Sequence, residues 1–218
     1  MSVINVENLN KSYGKLKVID DLSFSLESGK QIVIMGASGS GKSTFLYMLG
    51  GLEKCNSGKI FVGGKEITKL NDDALAKYRN REIGFVFQFH FLLPTLTCLE
   101  NILMPARLGK LDTKVVKKYI LSLAKRLDVD DCLSKYPYQI SGGQQQRINL
   151  IRALSLKPKL LLCDEPTGNL DSKNSEIVTD LLLELSREFG TTLVVVTHDD
   201  DVAERFNHRM HMVDGILH

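Results

Sequence analysis

No apolar run in the 218 residues is long enough to cross a bilayer, which takes about 20 residues, and Met1–Gly14 lacks the basic and apolar segments of a signal peptide. We therefore expect the protein to stay in the cytoplasm. Cysteine is scarce as well, and no CxxC pair or clustered histidine offers metal-ligand spacing. A disulfide framework and a zinc site are disfavoured for the four cysteines, which are Cys55, Cys98, Cys132 and Cys163.

An excess of one charge is also missing. Lysine and arginine number 28 against 26 acidic residues, which gives a formal net charge of +2. This balance is too mild for the basic surface of a dedicated nucleic-acid-binding protein, so we expect no nucleic-acid partner. The 43% hydrophobic and 25% charged residues are typical of a globular protein with a sizeable core, in one domain or two closely joined ones.

The chain has no internal repeat or low-complexity stretch, but it alternates between two patterns. Short apolar segments bounded by turn residues predict strands, and segments with helical spacing of apolar residues lie between them. Because such alternation is typical of parallel strands flanked by helices, we expect an α/β fold. The predicted strands are Val3–Val6, Val18–Leu26, Gln31–Met35, Lys59–Val62, Ile83–Gln88, Leu160–Cys163, Leu193–Thr197 and Met210–Val213, and the predicted helices include Ser43–Leu49, Asp72–Arg79 and Ile177–Phe189.

Residues between Thr97 and Leu133 have a different, mainly helical texture. Apolar residues recur there on one predicted helix face, which indicates an amphipathic helix within a helical insert. Proline marks the start of this insert at Pro94 and Pro105 and its end at Pro137. The predicted face consists of Val115, Val116, Tyr119, Ile120, Leu123, Ala124 and Leu127.

A glycine-rich loop with the pattern G-x-x-x-x-G-K-[ST] lies between a predicted strand and a predicted helix, which is the context that phosphate binding requires. Glycines allow successive backbone N–H groups to point at phosphate oxygens, and the helix start adds partial positive charge. We expect Lys42 to meet the terminal phosphates and the Ser43 hydroxyl to ligate Mg2+. The predicted phosphate-binding residues are Gly36, Ala37, Ser38, Gly39, Ser40, Gly41, Lys42, Ser43 and Thr44.

A second motif places two carboxylates at the end of the apolar strand Leu160–Cys163. Adjacent acids at the end of a buried strand are costly unless a cation or hydrogen bonds compensate them. We therefore expect this strand to lie beside the strand of the glycine-rich loop, on the magnesium side. Asp164 would hold Mg2+ through its water shell, and Glu165 would polarise the attacking water as general base.

A third motif, ISGGQQQR at Ile140–Arg147, resembles the signature sequence of ABC-type ATPases. Ser-Gly-Gly at a helix start could cap any helix, but its hydroxyl and bare N–H groups can also bind an anion. The resemblance implies that Ser141, Gly142, Gly143 and Gln144 close over the ATP held by the other subunit. It therefore implies a head-to-tail, ATP-dependent homodimer with two sandwiched nucleotides.

Other positions of the family match in order over nearly the whole chain. Tyr13 resembles the aromatic residue that stacks on adenine, and Gln88 resembles the glutamine that touches Mg2+ and senses the membrane partner. His198 matches the histidine that holds the γ-phosphate and the attacking water. In the loop after the two carboxylates, Asn169 and Asp171 resemble residues that contact the opposite subunit.

The resemblance also implies how the fold is divided. Members of this family are P-loop NTPases with a parallel-sheet core, an N-terminal antiparallel β subdomain and an α-helical insert that carries the signature. The core with its β subdomain would span residues 1–93 and 157–218, and the helical subdomain residues 94–156. ATP and Mg2+ are the implied cofactors, and the implied catalytic residues are Glu165, His198 and Lys42.

Three segments resemble one branch of the family, the lipoprotein-releasing (LolD-like) and macrolide-exporter-like ATPases; they are Phe87–Pro94, Leu99–Ile102 and Asp164–Asp171. This likeness implies integral membrane permease subunits as partners, with lipoprotein cargo handled through the permease. The chain would then work peripherally on the cytoplasmic face of the inner membrane. A regulatory ATPase of a cell-division-type membrane complex, which transports nothing, would share every catalytic residue and stays open as the alternative.

Two further classes are disfavoured by missing features. ABC ATPases of DNA repair or translation usually carry a long coiled-coil insertion or two ATPase units in one chain, and this sequence has neither. A simple GTPase would carry an Asn-Lys-x-Asp motif after the glycine-rich loop to read its base, and no such motif is present.

Overall fold

A computed structural model describes residues 2–218 and confirms the α/β fold class. The strands are β1 (Ser2–Tyr13), β2 (Leu16–Glu27), β3 (Gln31–Met35), β4 (Ser57–Val62), β5 (Lys65–Glu66), β6 (Ile83–Val86), β7 (Leu160–Asp164), β8 (Thr192–Thr197), β9 (His208–Val213) and β10 (Ile216–Leu217). The α-helices are α1 (Lys42–Leu49), α2 (Asp72–Glu82), α3 (Cys98–Leu108), α4 (Thr113–Arg126), α5 (Gly142–Leu154), α6 (Ser172–Glu188) and α7 (Asp200–Glu204).

The N-terminal sheet is antiparallel, with the strand order β2-β1-β4-β5. In β2, Leu22, Phe24 and Leu26 are buried, whereas Ser23 and Ser25 between them are exposed. This alternation places one face of the sheet on the core and leaves the other in solvent, as is usual for antiparallel sheets. The expected antiparallel β unit is therefore present.

The central sheet has the order β10-β9-β3-β8-β7-β6, with parallel pairing throughout except for β10 at the edge. Because β8 lies between β3 and β7, the expectation that the strand of Asp164 lies beside the glycine-rich-loop strand is wrong. The register pairs Met35 with Thr197, and Asp164 with Val196. All three strands therefore end at the same edge of the sheet, which keeps their following residues close together.

Both faces of the central sheet are covered, which explains the continuous apolar runs in its strands. In β3, Ile32 and Ile34 join a core shared with α1 and the antiparallel sheet. Val33 and Met35 point the other way, into a core shared with α3, α4, α5 and α6. The strands β7 and β8 divide their side chains between the same two cores.

The helical insert is present, but its details differ from the prediction. Ile120, Leu123 and Ala124 of α4 are buried as the apolar spacing predicts, whereas Val115 is 70% exposed. Val115 lies one residue, and hence about 100°, away from the stripe that begins at Val116. Pro105 lies inside α3 and does not mark the start of the insert.

Element ends also differ from the sequence-based expectation. Helix α6 begins at Ser172 and not at Ile177, because the Asp171 carboxylate caps its first turn by accepting from Asn174 N at 2.9 Å. Strand β6 ends at Val86, so Gln88 lies beyond the strand. The two-residue strands β5 and β10 are additional. Within residues 2–218, no helix combines the length and apolar character needed to span a membrane.

Candidate functional site

The glycine-rich loop runs from β3 into α1 and is packed too tightly for larger residues. Gly36 and Gly41 have φ values of 152° and 105°. A Cβ at Gly36 would lie 2.3 Å from Met212 O, and one at Gly41 would lie 2.6 Å from Val18 O. The loop can therefore adopt this shape only with glycine at both positions.

Lys42, the first residue of α1, lies under the loop. Its Nζ donates to Gly36 O at 2.6 Å and to Ala37 O at 2.8 Å. Burial lowers the pKa of Lys42, and the nearby Glu165 and Asp164 oppose that shift. The buried ammonium can bind phosphate oxygens, whereas the two acids beside it would repel a phosphate unless a cation were also bound.

Ser40 offers a further test of whether the loop suits a phosphate group. Its hydroxyl is buried and has no hydrogen-bond partner among residues 2–218. It lies inside the loop, since a Cβ on Gly36 would come within 2.8 Å of it. An orphaned buried donor is costly unless a ligand satisfies it, so the residues present fit a bound phosphate.

Asp164, the last residue of β7, is buried and has a donor on each carboxylate oxygen. Ser43 Oγ donates to Oδ1 at 2.8 Å, which joins the loop to the acidic motif despite the intervening strand. Tyr47 Oη donates to Oδ2 at 2.6 Å. Sequence reasoning missed Tyr47, although its position four residues after Ser43 on α1 places both side chains on one helix face.

Glu165 follows Asp164 and is held at three points. Its backbone N–H donates to Val196 O at 2.9 Å, Thr197 Oγ1 donates to its Oε2 at 3.0 Å, and His198 Nδ1 lies 2.8 Å from its Oε1. The φ of Glu165 is 45°, a conformation that costs a non-glycine residue about 1–3 kcal/mol. Sequence reasoning predicted Glu165 and His198 together but missed Thr197.

Gln88 and the loop that follows Glu165 contact each other. Asn169 Nδ2 donates to Gln88 O at 2.9 Å. A Cβ on Gly168 would lie 3.1 Å from Gln88 Nε2, so glycine permits this close approach. Gln88, the predicted Mg2+ ligand, is thus hydrogen-bonded within the same chain to Asn169, a predicted subunit-contact residue.

The signature residues begin α5, where Ser141 caps the helix. Ser141 Oγ accepts from Gln144 N, and Gln144 Oε1 accepts from Ser141 N at 3.0 Å, which forms a capping box. Gly143 packs against Asn174, whose amide oxygen would lie 2.5 Å from a Cβ at that position. Because Asn174 Nδ2 also donates to Asp171 Oδ2, the signature residues lie close to Asp171, one of the two predicted subunit-contact residues.

Tyr13, the expected adenine-stacking residue, lies at the end of β1 and is 48% exposed. Lys11 Nζ lies 4.7 Å from the centre of its ring. Within residues 2–218, no group of three or more His, Cys, Asp or Glu side chains is arranged as a metal site.

A groove of about 1020 Å³ lies between α2, α3 and α5. Phe85, Phe87 and Phe91 form part of its apolar lining. Among the residues that the structure describes, its lining contains basic side chains and no acidic ones, which gives the groove a positive charge. The basic residues are Lys77, Arg79, Arg81, Lys110 and Arg152.

Comparison with known proteins identifies similar sequences over nearly the whole chain. The model of the "ABC transporter" family matches residues 19–168. The lipoprotein-releasing system ATP-binding protein LolD 1 of Chlorobium chlorochromatii is 46% identical, over 91% of this chain and 81% of that protein. The corresponding LolD protein of Idiomarina loihiensis is 42% identical, over 100% of this chain and 97% of that protein.

Solved structures of ABC transporter cassettes have the same fold as this chain. A dimeric structure of a bacterial ABC transporter cassette matches with a TM-score of 0.89 and 38% identity, covering 98% of this chain and 96% of that one. A dimeric post-hydrolysis ATP-binding cassette bound to ADP and phosphate matches with a TM-score of 0.87, 36% identity and the same coverage.

Proposed function

The chain belongs to the ABC transporter family, and on that premise we propose that it is the ATPase subunit of a complex that releases lipoproteins from the inner membrane. One observation carries the ATPase proposal: Ser43, at the end of the glycine-rich loop, donates a hydrogen bond to Asp164, and the next residue is Glu165, which Thr197 and His198 hold. Lipoprotein release is supported by the names of full-length relatives and by the segments that resemble that branch.

In this proposal the glycine-rich loop holds the phosphates of ATP. Lys42 turns its ammonium group from the loop carbonyls to the terminal phosphate oxygens, while backbone N–H groups and the Ser40 hydroxyl donate to the others. Tyr13 stacks on the adenine ring. Ser43 and Gln88 would ligate Mg2+, and Asp164 would hold it through water. The bound cation would neutralise charge on the phosphates.

Glu165 acts as the general base. Its carboxylate accepts a proton from the water whose oxygen attacks the γ-phosphorus. The bond between the γ-phosphorus and the β–γ bridging oxygen breaks, and ADP and phosphate are the products. Thr197 and His198 each hold one oxygen of this carboxylate, which fixes the lone pair that faces the water. His198 is two-thirds exposed, so it can also contact the γ-phosphate.

The complete site requires two copies of the chain. Ser141, Gly142, Gly143 and Gln144 of one subunit would cover the ATP held by the other, with their backbone N–H groups at the start of α5 directed at phosphate. Asn169 and Asp171 would contact the opposite subunit beside them. The adjacency of Gly143 and Asn174 supports this arrangement, because it joins both sets into one surface.

The permease would bind at the groove between α2, α3 and α5. An apolar lining with basic side chains suits an amphipathic membrane-protein segment that carries acidic residues. The groove includes Phe87 and Phe91, which flank Gln88 and thereby connect the groove to the nucleotide site. Attachment here would place the chain on the cytoplasmic face of the membrane, because ATP is supplied from that side.

The experiment is co-purification of tagged Glu165→Gln protein from detergent-solubilised native membranes in ATP and Mg2+, with mass spectrometry of the eluate. The Lys42→Ala protein is the matched control, because it should not form the ATP-held dimer. Recovery of a permease together with a lipoprotein supports the proposal. A cell-division-type membrane partner without cargo would replace lipoprotein release with the regulatory alternative, and a protein without any membrane partner would remove transport.

A further inference from the structure

Three polar side chains along α5 connect the Glu165 loop with the groove. Gln146 Nε2 donates to the carbonyl of Pro166, the residue after Glu165. Asn149 Nδ2 donates to Gln146 Oε1 at 3.3 Å, and Arg152 Nη2 donates to Asn149 Oδ1 at 2.7 Å. The three residues are spaced three apart, so they form one continuous ridge on the helix.

At the groove end, Arg152 holds two backbone carbonyls. Its Nη2 donates to His90 O at 2.7 Å, and its Nη1 donates to Phe91 O at 2.8 Å. All of its acceptors are neutral oxygens, and burial lowers the pKa of Arg152 to about 10. A desolvated cation with only neutral partners makes its hydrogen bonds strong, so the position of His90 and Phe91 is tightly linked to Arg152.

The direction of the hydrogen bonds is fixed at both ends. Arg152 can only donate, and Pro166 can only accept, because its carbonyl is the sole polar group of its backbone. The Asn149 amide must therefore turn its oxygen to Arg152 and its NH2 group to Gln146, which in turn directs the Gln146 NH2 group at Pro166. Gln146 is 1% exposed and Asn149 is fully buried, so water cannot replace a broken link.

Each end of this connection holds a segment with a left-handed non-glycine residue. Phe91, whose carbonyl Arg152 binds, has a φ of 46°. Glu165, which precedes the carbonyl bound by Gln146, has a φ of 45°. Such conformations persist only where surrounding contacts impose them, and they are concentrated at sites that change shape. Loss of one anchor therefore favours relaxation of the segment it holds.

We propose that Gln146, Asn149 and Arg152 are positioning residues that couple occupancy of the groove to the placement of Glu165. A change at the Phe91 segment moves Arg152, and the fixed polarity of the amides carries that movement to the Pro166 carbonyl. This route lies along α5 and is separate from the Gln88 contact with Asn169. The proposal rests on the proposed function, because it takes Glu165 as the general base.

The test uses a spectroscopic probe in the groove. The chain contains no tryptophan, so Phe91→Trp supplies a single tryptophan, which can be excited at wavelengths that tyrosine does not absorb, at a position that is 63% exposed. In the full chain with Glu165→Gln, addition of ATP and Mg2+ should change the Trp emission, because the two ends are connected. Nucleotide affinity is measured separately by displacement of a fluorescent ATP analogue.

The connection is broken by Asn149→Asp, an isosteric change. The new carboxylate still accepts from Arg152 but cannot donate to Gln146, whose amide would turn its NH2 group away from Pro166. We expect the ATP-induced emission change to be largely lost while ATP affinity is retained, because the Phe91 segment is no longer connected to the Pro166 carbonyl. Gln146→Met, which keeps the side-chain length, should give the same loss.

The control is Gln145→Met, because Gln145 bonds to Pro137 O and Ile140 O and takes no part in the connection. It should leave the emission change intact. An emission change that survives both Asn149→Asp and Gln146→Met overturns the proposal, as does a parent chain that binds ATP without any change in emission. A parent chain that binds no ATP would instead contradict the proposed function itself.

Discussion

Tyr47 donates a hydrogen bond of 2.6 Å to Asp164 Oδ2, on the carboxylate whose other oxygen accepts from Ser43. Burial and the neighbouring Asp164 both raise the pKa of Tyr47, so its hydroxyl stays protonated at all physiological pH values. The tyrosine ring also lies 5.9 Å from that of Phe85 and 6.4 Å from that of Phe87, two residues of the groove. Tyr47 thus orients Asp164 from the side opposite the loop.

Tyr47→Phe keeps the ring and removes the donor, which leaves a buried carboxylate oxygen without its partner. We expect the free energy of unfolding, measured by urea titration, to fall by about 1–3 kcal/mol. In the proposed site Asp164 would hold Mg2+ through water, and loss of a group that orients such a residue commonly changes metal affinity about tenfold, so the Mg2+ concentration for half-maximal ATPase activity should rise about tenfold. Tyr78→Phe is the control: its hydroxyl donates to Leu49 O, so it should lose stability without a change in Mg2+ dependence.

Glu165→Gln should bind ATP and hydrolyse it about 10²- to 10⁴-fold more slowly, because the amide cannot accept the proton of the attacking water. The amide oxygen can still accept from Thr197, so the loop should keep its shape. Turnover is measured by phosphate release and dimer formation by size-exclusion chromatography in ATP. Normal turnover of this variant would disprove the general-base role, whereas Glu184→Gln, at an exposed ion pair with Arg126, should leave turnover unchanged.

Lys42→Ala should weaken ATP binding as well as turnover. The loss of a charged donor to phosphate corresponds to about 10- to 100-fold in affinity. Titration calorimetry with ATP and Mg2+ measures this directly. Lys54→Ala removes a lysine whose side chain is 76% exposed and should bind ATP normally. Retention of tight ATP binding by the Lys42 variant would count against the phosphate-binding role of the loop.

The ion pair between Lys11 and Glu53 should make a pH-dependent contribution to the free energy of unfolding. The buried Lys11 ammonium lies 2.5 Å from Glu53 Oε1, and that hydrogen bond is the main cause of the lowered pKa of Glu53. Because the folded state lowers this pKa, the contribution is complete above the usual value near 4.5 and is lost as pH falls through the lower folded value. Glu53 is one-third exposed, so solvent limits the contribution to about 1 kcal/mol.

Lys11→Met should therefore reduce the free energy of unfolding at pH 7, and the difference from the parent chain should narrow below pH 4.5. A part of the loss should not depend on pH, because Lys11 also donates to Lys54 O at 2.6 Å. Urea titrations between neutral and acid pH measure both parts. A difference that stays constant over this range would rule out the ionic contribution. Lys30→Met, at an exposed pair 4.0 Å from Glu27, serves as control.

The sequence predicted the elements whose signal is local. Strand β3 has the predicted bounds, because its apolar run lies between a turn at Gly29 and the glycine at 36. The phosphate loop and the Asp164–Glu165 pair were also visible, since each consists of neighbouring residues. Helix α6 was predicted to start too late, because its first turn is polar and depends on the cap at Asp171.

The position of β8 could not be predicted in the same way. Which strand lies between β3 and β7 depends on how distant crossovers pack, and no local pattern records it. Thr197 was missed for the same reason: its hydroxyl matters only because β8 lies next to β7, where it reaches Glu165. Tyr47 was missed although helical spacing alone placed it beside Ser43.

The placement of β8 also determines when the protein can first work during its synthesis. Asp164, the hydrogen-bond partner of Ser43, is synthesised 121 residues after Ser43. Thr197, the partner of Glu165, is synthesised 32 residues after Glu165. A nascent chain on the ribosome therefore contains the glycine-rich loop long before it contains Asp164, Glu165 and Thr197, which hydrolysis would require. Translation has to pass β8 before hydrolysis can begin, so chains that stop short of this strand should not hydrolyse ATP.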